Sequence, residues 1–236
     1  YLPDHNPAAL ESSPKVVVKR GYTPSGKDIE KLLDAPGSPR ARLLAHWMFY
    51  APSRRATFAT ARWRDIDLDQ GTWEVVGKGE VPDIFELHPT LIRERRLYRR
   101  SQLSEAQRRP AVRDALSDEG TAYVLLTRNG RPMHPDHMTK TLKRHAVRAG
   151  VGVKKAEGQW DASAGKTSRL SPHAMRRAWA TIALNDHYVP IDGVSEVLKH
   201  RDIATTRRHD APTKPELPRR ALREMIREME AQGQLG

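Results

Sequence analysis

Within residues 171–211, two of the imidazoles and one of the guanidinium groups have a spacing that could serve chemistry. His173 and Arg176 are three residues apart in a helix-forming sequence, and His200 follows after a loop. Residues three apart lie on the same face of a helix, so His173 and Arg176 are expected side by side. An Arg offers a planar pair of donors to phosphate oxygens, and a His exchanges a proton near neutral pH. This set of side chains is suited to a bound phosphodiester.

The same segment resembles the tyrosine recombinase (phage integrase) family. The family pattern reads His-x-x-Arg-His-x-x-Ala-Thr, then Leu-Gly-His, then Thr-Thr. The chain has HAMRRAWAT from His173, LKH ending at His200, and Thr205-Thr206. The resemblance extends over residues 22–232 and implies a mainly α-helical catalytic domain with a small antiparallel β-sheet. It also implies site-specific DNA recombination through a 3′-phosphotyrosyl intermediate.

Two segments nearer the start of the chain extend this resemblance. Residues 50–67 are similar to the family's Thr-Gly-Leu-Arg-Ile-x-Glu-Leu and Arg-Trp-x-Asp-Ile. This similarity aligns Arg54 with the first catalytic Arg and leaves Arg55 as the alternative. The Gly-Lys-Gly turn at Lys78 is similar to a β-hairpin of the family whose Lys reaches the DNA minor groove. The segments follow one another in the family's order.

The resemblance implies a role for each of five side chains in cleaving DNA. Arg54 and Arg176 would bind the non-bridging phosphate oxygens, and His200 would donate to the same phosphate. His173 would act as the general base, and Lys78 would protonate the leaving 5′-oxygen. Pre-positioned donors of this kind stabilise the charge that develops in the transition state, so neither a metal nor a cofactor is expected.

The family's nucleophilic Tyr has no counterpart at its usual place. It follows the Leu-Gly-His histidine by nine or ten residues, and these positions hold His209 and Asp210. A carboxylate repels the scissile phosphate, and a His forms a labile phosphoramidate at best. We therefore expect no covalent complex from this sequence, with Asp210 at the nucleophile position and His209 as the alternative. The chain is either a recombinase with a replaced nucleophile or a natural non-cleaving relative that acts as a regulator or structural partner.

The charge of the chain favours a polyanionic partner. Lys and Arg number 41 against 29 Asp and Glu, which gives a formal net charge of +12. The charge makes nucleic acid, DNA or RNA, the first candidate, and the resemblance implies double-stranded DNA. The basic side chains expected at the DNA are Lys78, Lys143, Arg144, Arg177 and Arg207. An Arg-rich helical stretch within residues 90–113, which includes Arg95, is either a solvated face or a further set of phosphate contacts.

Local patterns predict the elements that carry these residues. Thr23 followed by Pro24 predicts the start of a helix. Alternating apolar residues predict an antiparallel β-meander over residues 65–87, and residues 123–127 resemble a short buried strand.

The second half of the chain contains one further clear pattern. Residues 134–150 predict an amphipathic helix, whose outward basic residues are Lys140, Lys143, Arg144 and Arg148. The polar residues 154–169 predict a loop.

The resemblance also divides the chain into three parts. Residues 1–21 are expected to be a linker that follows a missing N-terminal DNA-binding domain, with an ordinary frayed terminus as the alternative, and residues 22–211 the catalytic domain. Residues 212–236 would form a linker and a C-terminal helix, which would either pack on its own domain or join the subunits of a tetramer on DNA. The sequence has no cysteine and no long apolar run, so disulfides, Cys-ligated metals and membrane spans are not expected. A cytoplasmic, nucleoid-associated location is the corresponding expectation.

Overall fold

The computed structural model describes residues 21–76, 82–118, 120–155 and 166–198. Over these residues it confirms the mainly α-helical fold with small antiparallel sheets. The helices are α1 (Gly26–Asp34), α2 (Pro39–Tyr50), α3 (Arg55–Thr60), α4 (Pro89–Arg108), α5 (Pro110–Leu116), α6 (Pro135–Arg148), α7 (Pro172–Asn185) and α8 (Ile191–Val197). The strands are β1 (Ile66–Asp67), β2 (Thr72–Val76), β3 (Pro82–Glu86), β4 (Val153–Lys155) and β5 (Lys166–Ser168).

The first helix begins later than the sequence pattern predicts. Its N-cap is Ser25, whose hydroxyl accepts from the Asp28 amide at 3.2 Å, while the Asp28 carboxylate accepts from the Ser25 amide at 3.1 Å. This reciprocal pair satisfies two amides that the helix leaves unpaired. The prediction that Thr23 caps the helix is therefore wrong, and Thr23 is available for a contact with α7.

Helix α2 lies at the centre of the core. It packs against α4, α6 and α7, and seven of its twelve residues are buried. The Trp47 ring contacts Phe58 and Trp73 edge-on, with ring centroids 5.2 and 4.9 Å apart. Aromatic rings bury a large apolar area, so this cluster fixes α2 against α3 and the sheet.

The β-meander is confirmed as a three-stranded sheet in the order β1-β2-β3. Trp73 of β2 lies opposite Ile66 on one side and Phe85 on the other. This register directs the Trp73 side chain into the core, where it is 1% exposed. Lys78, in the connection between β2 and β3, lies outside the described residues.

Arg95 does not lie on a solvated or phosphate-binding face of the Arg-rich helix. Its side chain is fully buried, with the guanidinium carbon 4.1 Å above the Trp47 ring and 5.5 Å from the Trp73 ring. Within the described residues its three guanidinium nitrogens have no hydrogen-bond partner. Burial lowers the pKa of Arg95 to about 9. Cation–π contacts with the two indole rings are thus the interactions that stabilise this charge.

Two further predictions of local structure need correction. The Arg-rich stretch is broken into α4 and α5, because Pro110 disfavours helical geometry at Arg109, which is extended. Residues 123–127 are mostly buried but form only isolated bridges, from Arg62 to Tyr123 and from Leu126 to Pro132.

The prediction of a polar loop over residues 154–169 is wrong at both ends, which belong to the strands of a hairpin, and residues 156–165 lie outside the described residues. Strands β4 and β5 pair in antiparallel register from Val153–Ser168 to Lys155–Lys166. With only three residues on each side, the strands are too short to show an alternating pattern in the sequence.

The amphipathic helix predicted over residues 134–150 is confirmed as α6, and it also buries an imidazole. His145 is fully buried, and its Nε2 donates to the carbonyl oxygen of Leu32 at 3.0 Å. Its Nδ1 has no partner among the described residues and faces Gly37, where a Cβ would lie only 2.8 Å away. Helix α6 and the turn before α2 can approach this closely because position 37 has no side chain.

None of the helices within the described residues combines the length and apolar character needed to cross a bilayer.

We expect the fold to lose stability as the pH falls below 6.5. Burial lowers the pKa of His46 and His145 below the ordinary value of 6.5, although hydrogen bonds to the Arg42 and Leu32 carbonyls oppose the shift. The unfolded chain then takes up these protons at a higher pH than the folded chain does. The free energy of unfolding is therefore undiminished above 6.5 and falls as the pH drops toward the folded-state pKa values.

This dependence is measured as the thermal midpoint between about pH 7.5 and about pH 5. Replacing both buried imidazoles, in His46→Gln/His145→Gln, should flatten the curve over that window. His137→Gln, at an exposed position of α6, is the matched control and should leave the curve unchanged. An equally steep fall in the double variant would contradict the assignment.

Candidate active site and nucleic-acid interface

The start of α7 presents the predicted His173–Arg176 pair. Ser171 caps the helix by accepting from the Ala174 amide at 3.1 Å, and Pro172 occupies the first turn. His173 is exposed, whereas Arg176 is only 6% exposed. The two side chains thus lie close together on one face of α7, but only the imidazole is accessible and the guanidinium is largely buried.

Arg176 is held between two distant segments by backbone oxygens. Its Nη1 donates to the carbonyl oxygen of Pro52 at 2.5 Å, and its Nη2 donates to the carbonyl oxygen of Leu198. Pro52 lies two residues before Arg54, and Leu198 lies two residues before His200. One side chain therefore brings the loop before α3 and the C-terminal end of α8 to the start of α7.

The geometry also distinguishes the two candidates for the first catalytic Arg. Arg54 is exposed at the N-cap of α3, two residues from the carbonyl that binds Arg176. Arg55 points elsewhere, because its Nη1 donates to Asp136 Oδ1 of α6 at 2.9 Å. Arg54 therefore remains our candidate, because it follows the Pro52 carbonyl that binds Arg176 by two residues, whereas Arg55 pairs with α6.

Several predicted site residues lie outside the described residues. These are Lys78, His200, Arg207, His209 and Asp210.

Arg177, predicted to contact DNA, makes hydrogen bonds within the chain. Its Nη2 donates to the carbonyl oxygen of Tyr22 at 2.8 Å, and its Nε donates to the Thr23 hydroxyl at 3.3 Å. No pattern in the sequence indicated this contact, because 154 residues separate Thr23 from Arg177.

Lys143 and Arg144 line a basic groove of about 1420 Å³ between α6, the turn at residues 127–134 and the β4–β5 hairpin. The spacing of basic residues along α6 had indicated two more of its members, Lys140 and Arg148. Sequence reasoning missed the others, which come from separate elements: Arg40, Arg128, Arg131 and Lys154. No Asp or Glu is among the described residues that line the groove. The groove is therefore suited to an extended polyanion.

Within the described residues, no group of three or more His, Asp or Glu side chains is arranged to hold a metal ion.

Replacing Arg176 should destabilise the fold independently of any chemistry. Arg176→Met leaves the Pro52 and Leu198 carbonyls without this donor, at an expected loss of about 3 kcal/mol in the free energy of unfolding. Arg55→Met is the control, since it removes an exposed arginine whose ion pair contributes about 1 kcal/mol or less. Denaturant unfolding of both variants makes the comparison. Equal losses in the two variants would show that the buried contacts of Arg176 do not support the fold.

Comparison with known proteins finds relatives that match most of the length of this chain. The family model described as "Phage integrase family" matches residues 25–215. The tyrosine recombinase XerD of Proteus mirabilis is 28% identical over 210 residues, covering 87% of this chain and 59% of the relative. XerC of Xanthomonas campestris pv. campestris (strain B100) is 26% identical over 205 residues, covering 85% of this chain and 54% of the relative. The chain thus spans less than two thirds of the length of these relatives.

Solved structures of recombinases share the fold at low sequence identity. A XerA recombinase gives a TM-score of 0.63 at 15% identity, covering 92% of this chain and 67% of that one. The pre-cleavage complex of XerH with a difH substrate gives a TM-score of 0.59 at 20% identity, covering 80% of this chain and 50% of that chain. A lambda integrase dimer bound to a COC′ core site gives a TM-score of 0.56 at 15% identity, covering 86% of this chain and 51% of that chain. With the family model matching most of its length, the chain belongs to the phage integrase family, the site-specific tyrosine recombinases.

Proposed function

We propose that this chain is the catalytic domain of a site-specific recombinase that binds duplex DNA and holds one phosphodiester at the start of α7. The observation that carries the proposal is the Arg176 guanidinium, which joins the segment of Arg54 to the segment that leads into His200. The recombinase structures with the same fold include the complexes of XerH and lambda integrase with DNA described above.

The chemistry follows from donors held in place before the phosphate arrives. Arg54 and Arg176 bind the non-bridging oxygens, and His200 adds a third donor. With a Tyr restored at the nucleophile position, its oxygen would bond to phosphorus as the bond to the 5′-oxygen breaks. His173, exposed in the first turn of α7, would accept the Tyr proton, and Lys78 would protonate the leaving 5′-oxygen. Because the Arg176 guanidinium is already fixed by the Pro52 and Leu198 carbonyls, its charge can stabilise the developing negative charge without moving.

The basic groove supplies the extended DNA contact. Its Lys and Arg side chains come from α2, α6, β4 and the turn at residues 127–134, without a carboxylate among the described lining residues. Asp136, at the start of α6, pairs with Arg55 at the start of α3. This ion pair links the groove-lining helix to the helix that carries Arg54. We assign Lys143 and Arg144 to phosphate contacts in this groove.

The sequence departs from the family at the nucleophile, so this domain is expected to bind DNA without forming a covalent bond. His209 and Asp210 occupy the positions where the family has Tyr. Tyr188 does not replace the missing nucleophile, because it follows the far end of α7. Helix α7 continues for nine residues beyond Arg176, to Asn185, which is roughly 14 Å along the helix axis. Its φ of +53° instead identifies it as a turn residue.

A second candidate function follows from the same departure: a non-cleaving protein that occupies recombination sites as a regulator or structural partner. Both candidates include association on DNA through residues 219–232, where Leu222, Met225, Ile226 and Met229 recur at helical spacing.

The groove assignment predicts how DNA affinity depends on salt. Removing one phosphate-binding cation lowers the slope of log affinity against log salt by about 1. Arg144→Gln and Lys143→Gln should each show this decrease in titrations of a fluorescent DNA duplex. Arg113→Gln is the matched control, because it removes an exposed arginine of α5 outside the groove. Slopes that change equally in the three variants would argue against a defined groove contact.

Restoring the nucleophile distinguishes the two candidate functions. The unaltered chain, Asp210→Tyr, His209→Tyr and the control Asp210→Phe are incubated with supercoiled plasmid in EDTA. A recombinase site predicts relaxation, or a covalent protein–DNA band, from one Tyr variant and from neither the Phe control nor the unaltered chain. If both Tyr variants bind DNA but form no covalent product, the non-cleaving function is favoured. Cleavage by the unaltered chain would refute the assignment of the nucleophile position.

A further inference from the structure

Residues 21–24 form a strap that lies against α7, and Arg177 holds it there. The two hydrogen bonds of Arg177 reach consecutive residues of the strap, the Tyr22 carbonyl and the Thr23 hydroxyl. Gly21 allows the close approach, since a Cβ at this position would lie 2.9 Å from Arg177 Nη2. Only a forked side chain supplies both donors from one position. Arg177 stands where the family pattern quoted above has a His.

The strap is also fixed on its other side through the Tyr22 ring. The ring lies against Gly152, where a Cβ would be only 2.7 Å from Tyr22 Cε1. The Arg169 guanidinium lies 5.0 Å from the ring centroid, and the Tyr22 hydroxyl donates to Asp28 Oδ2 at 3.4 Å. The strap therefore contacts α1, the turn before β4, the residue after β5, and α7.

The contact with α7 falls within the segment that carries the candidate chemistry. Arg177 directly follows Arg176 and is one turn from His173. The buried Arg176 is held by Pro52 and Leu198, while Arg177 holds the strap. Two adjacent arginines thus anchor the same turn of α7 to different parts of the chain, which restricts its rotation about the helix axis.

We propose that Arg177 is a positioning residue, which orients His173 and Arg176 toward the phosphate by tying the strap to α7. This role rests on the proposed function for its catalytic consequence, but the tie itself is a property of the free protein. Arg177 acts through the strap and makes no phosphate contact of its own. Its loss therefore changes the order of α7 without changing the number of phosphates bound.

The first test is hydrogen exchange in the full chain without DNA. Arg177→Met should speed exchange of the amides at residues 174–178 and in α1, while α6 keeps its protection. Thr23→Val removes one acceptor with little change in shape and should give a weaker effect in the same places. The effects of the two substitutions should be less than additive, because both remove the same contact. Unchanged exchange in Arg177→Met, or fully additive effects, would overturn the tie.

The second test separates positioning from direct DNA contact. The salt slope for a DNA duplex should be the same in Arg177→Met and in the unaltered chain, whereas Arg144→Gln lowers it by about 1. A decrease of the same size in Arg177→Met would overturn the proposal in favour of a phosphate contact. If the unaltered chain does not bind DNA, the proposed function fails, and the exchange experiment alone still decides whether the tie exists.

A kinetic readout applies in whichever Tyr-restored variant forms a covalent complex. Arg177→Met should lower the rate at saturating DNA by roughly tenfold or more, because displaced catalytic groups react slowly even when bound. The DNA concentration for half-maximal rate should stay the same, and Arg177→Lys, which keeps one donor, should recover part of the rate. A change in half-maximal concentration alone, or no recovery by Lys, would contradict a positioning role.

Discussion

A buried guanidinium held by main-chain oxygens organises the described part of this site. Arg176 is almost fully removed from water, so its charge needs acceptors inside the protein. The Pro52 and Leu198 carbonyls supply them without cancelling the positive charge. The same contacts that join three segments of the fold therefore keep a net cation at their junction. The side chain that we propose as a phosphate ligand therefore also holds the fold together at this point.

Local patterns were enough to predict much of this arrangement. His173 and Arg176 share the start of a helix, as their spacing requires, and the meander around Trp73 follows from alternating apolar residues. Even the choice of cap was decided locally: Ser25 prevails over Thr23 because Asp28 completes a reciprocal pair of hydrogen bonds. Such features depend on residues a few positions apart, which a sequence displays directly.

Contacts between distant residues could not be predicted in the same way. Nothing near Arg176 indicates that its acceptors are carbonyls 124 and 22 residues away. Arg40 enters the basic groove from the start of α2, although the other lining residues come from the second half of the chain. Backbone carbonyls occur at every position, and a groove can gather cations from any loop. The pattern of residue types therefore predicts neither the acceptors of Arg176 nor the residues that line the groove.

The tryptophan-lined site of Arg95 affects how many destabilising substitutions the rest of the protein can tolerate. A buried charge without hydrogen-bond partners is costly, and an apolar side chain of similar volume is often better tolerated. Replacing Arg95 with Met or Leu loses the contacts with the two indole rings but removes the cost of the buried charge, so we expect the free energy of unfolding to stay the same or rise. Proteins with a margin of stability tolerate destabilising changes elsewhere. Arg95 is therefore a natural first position to modify when the proposed DNA-binding groove is to be diversified in the laboratory.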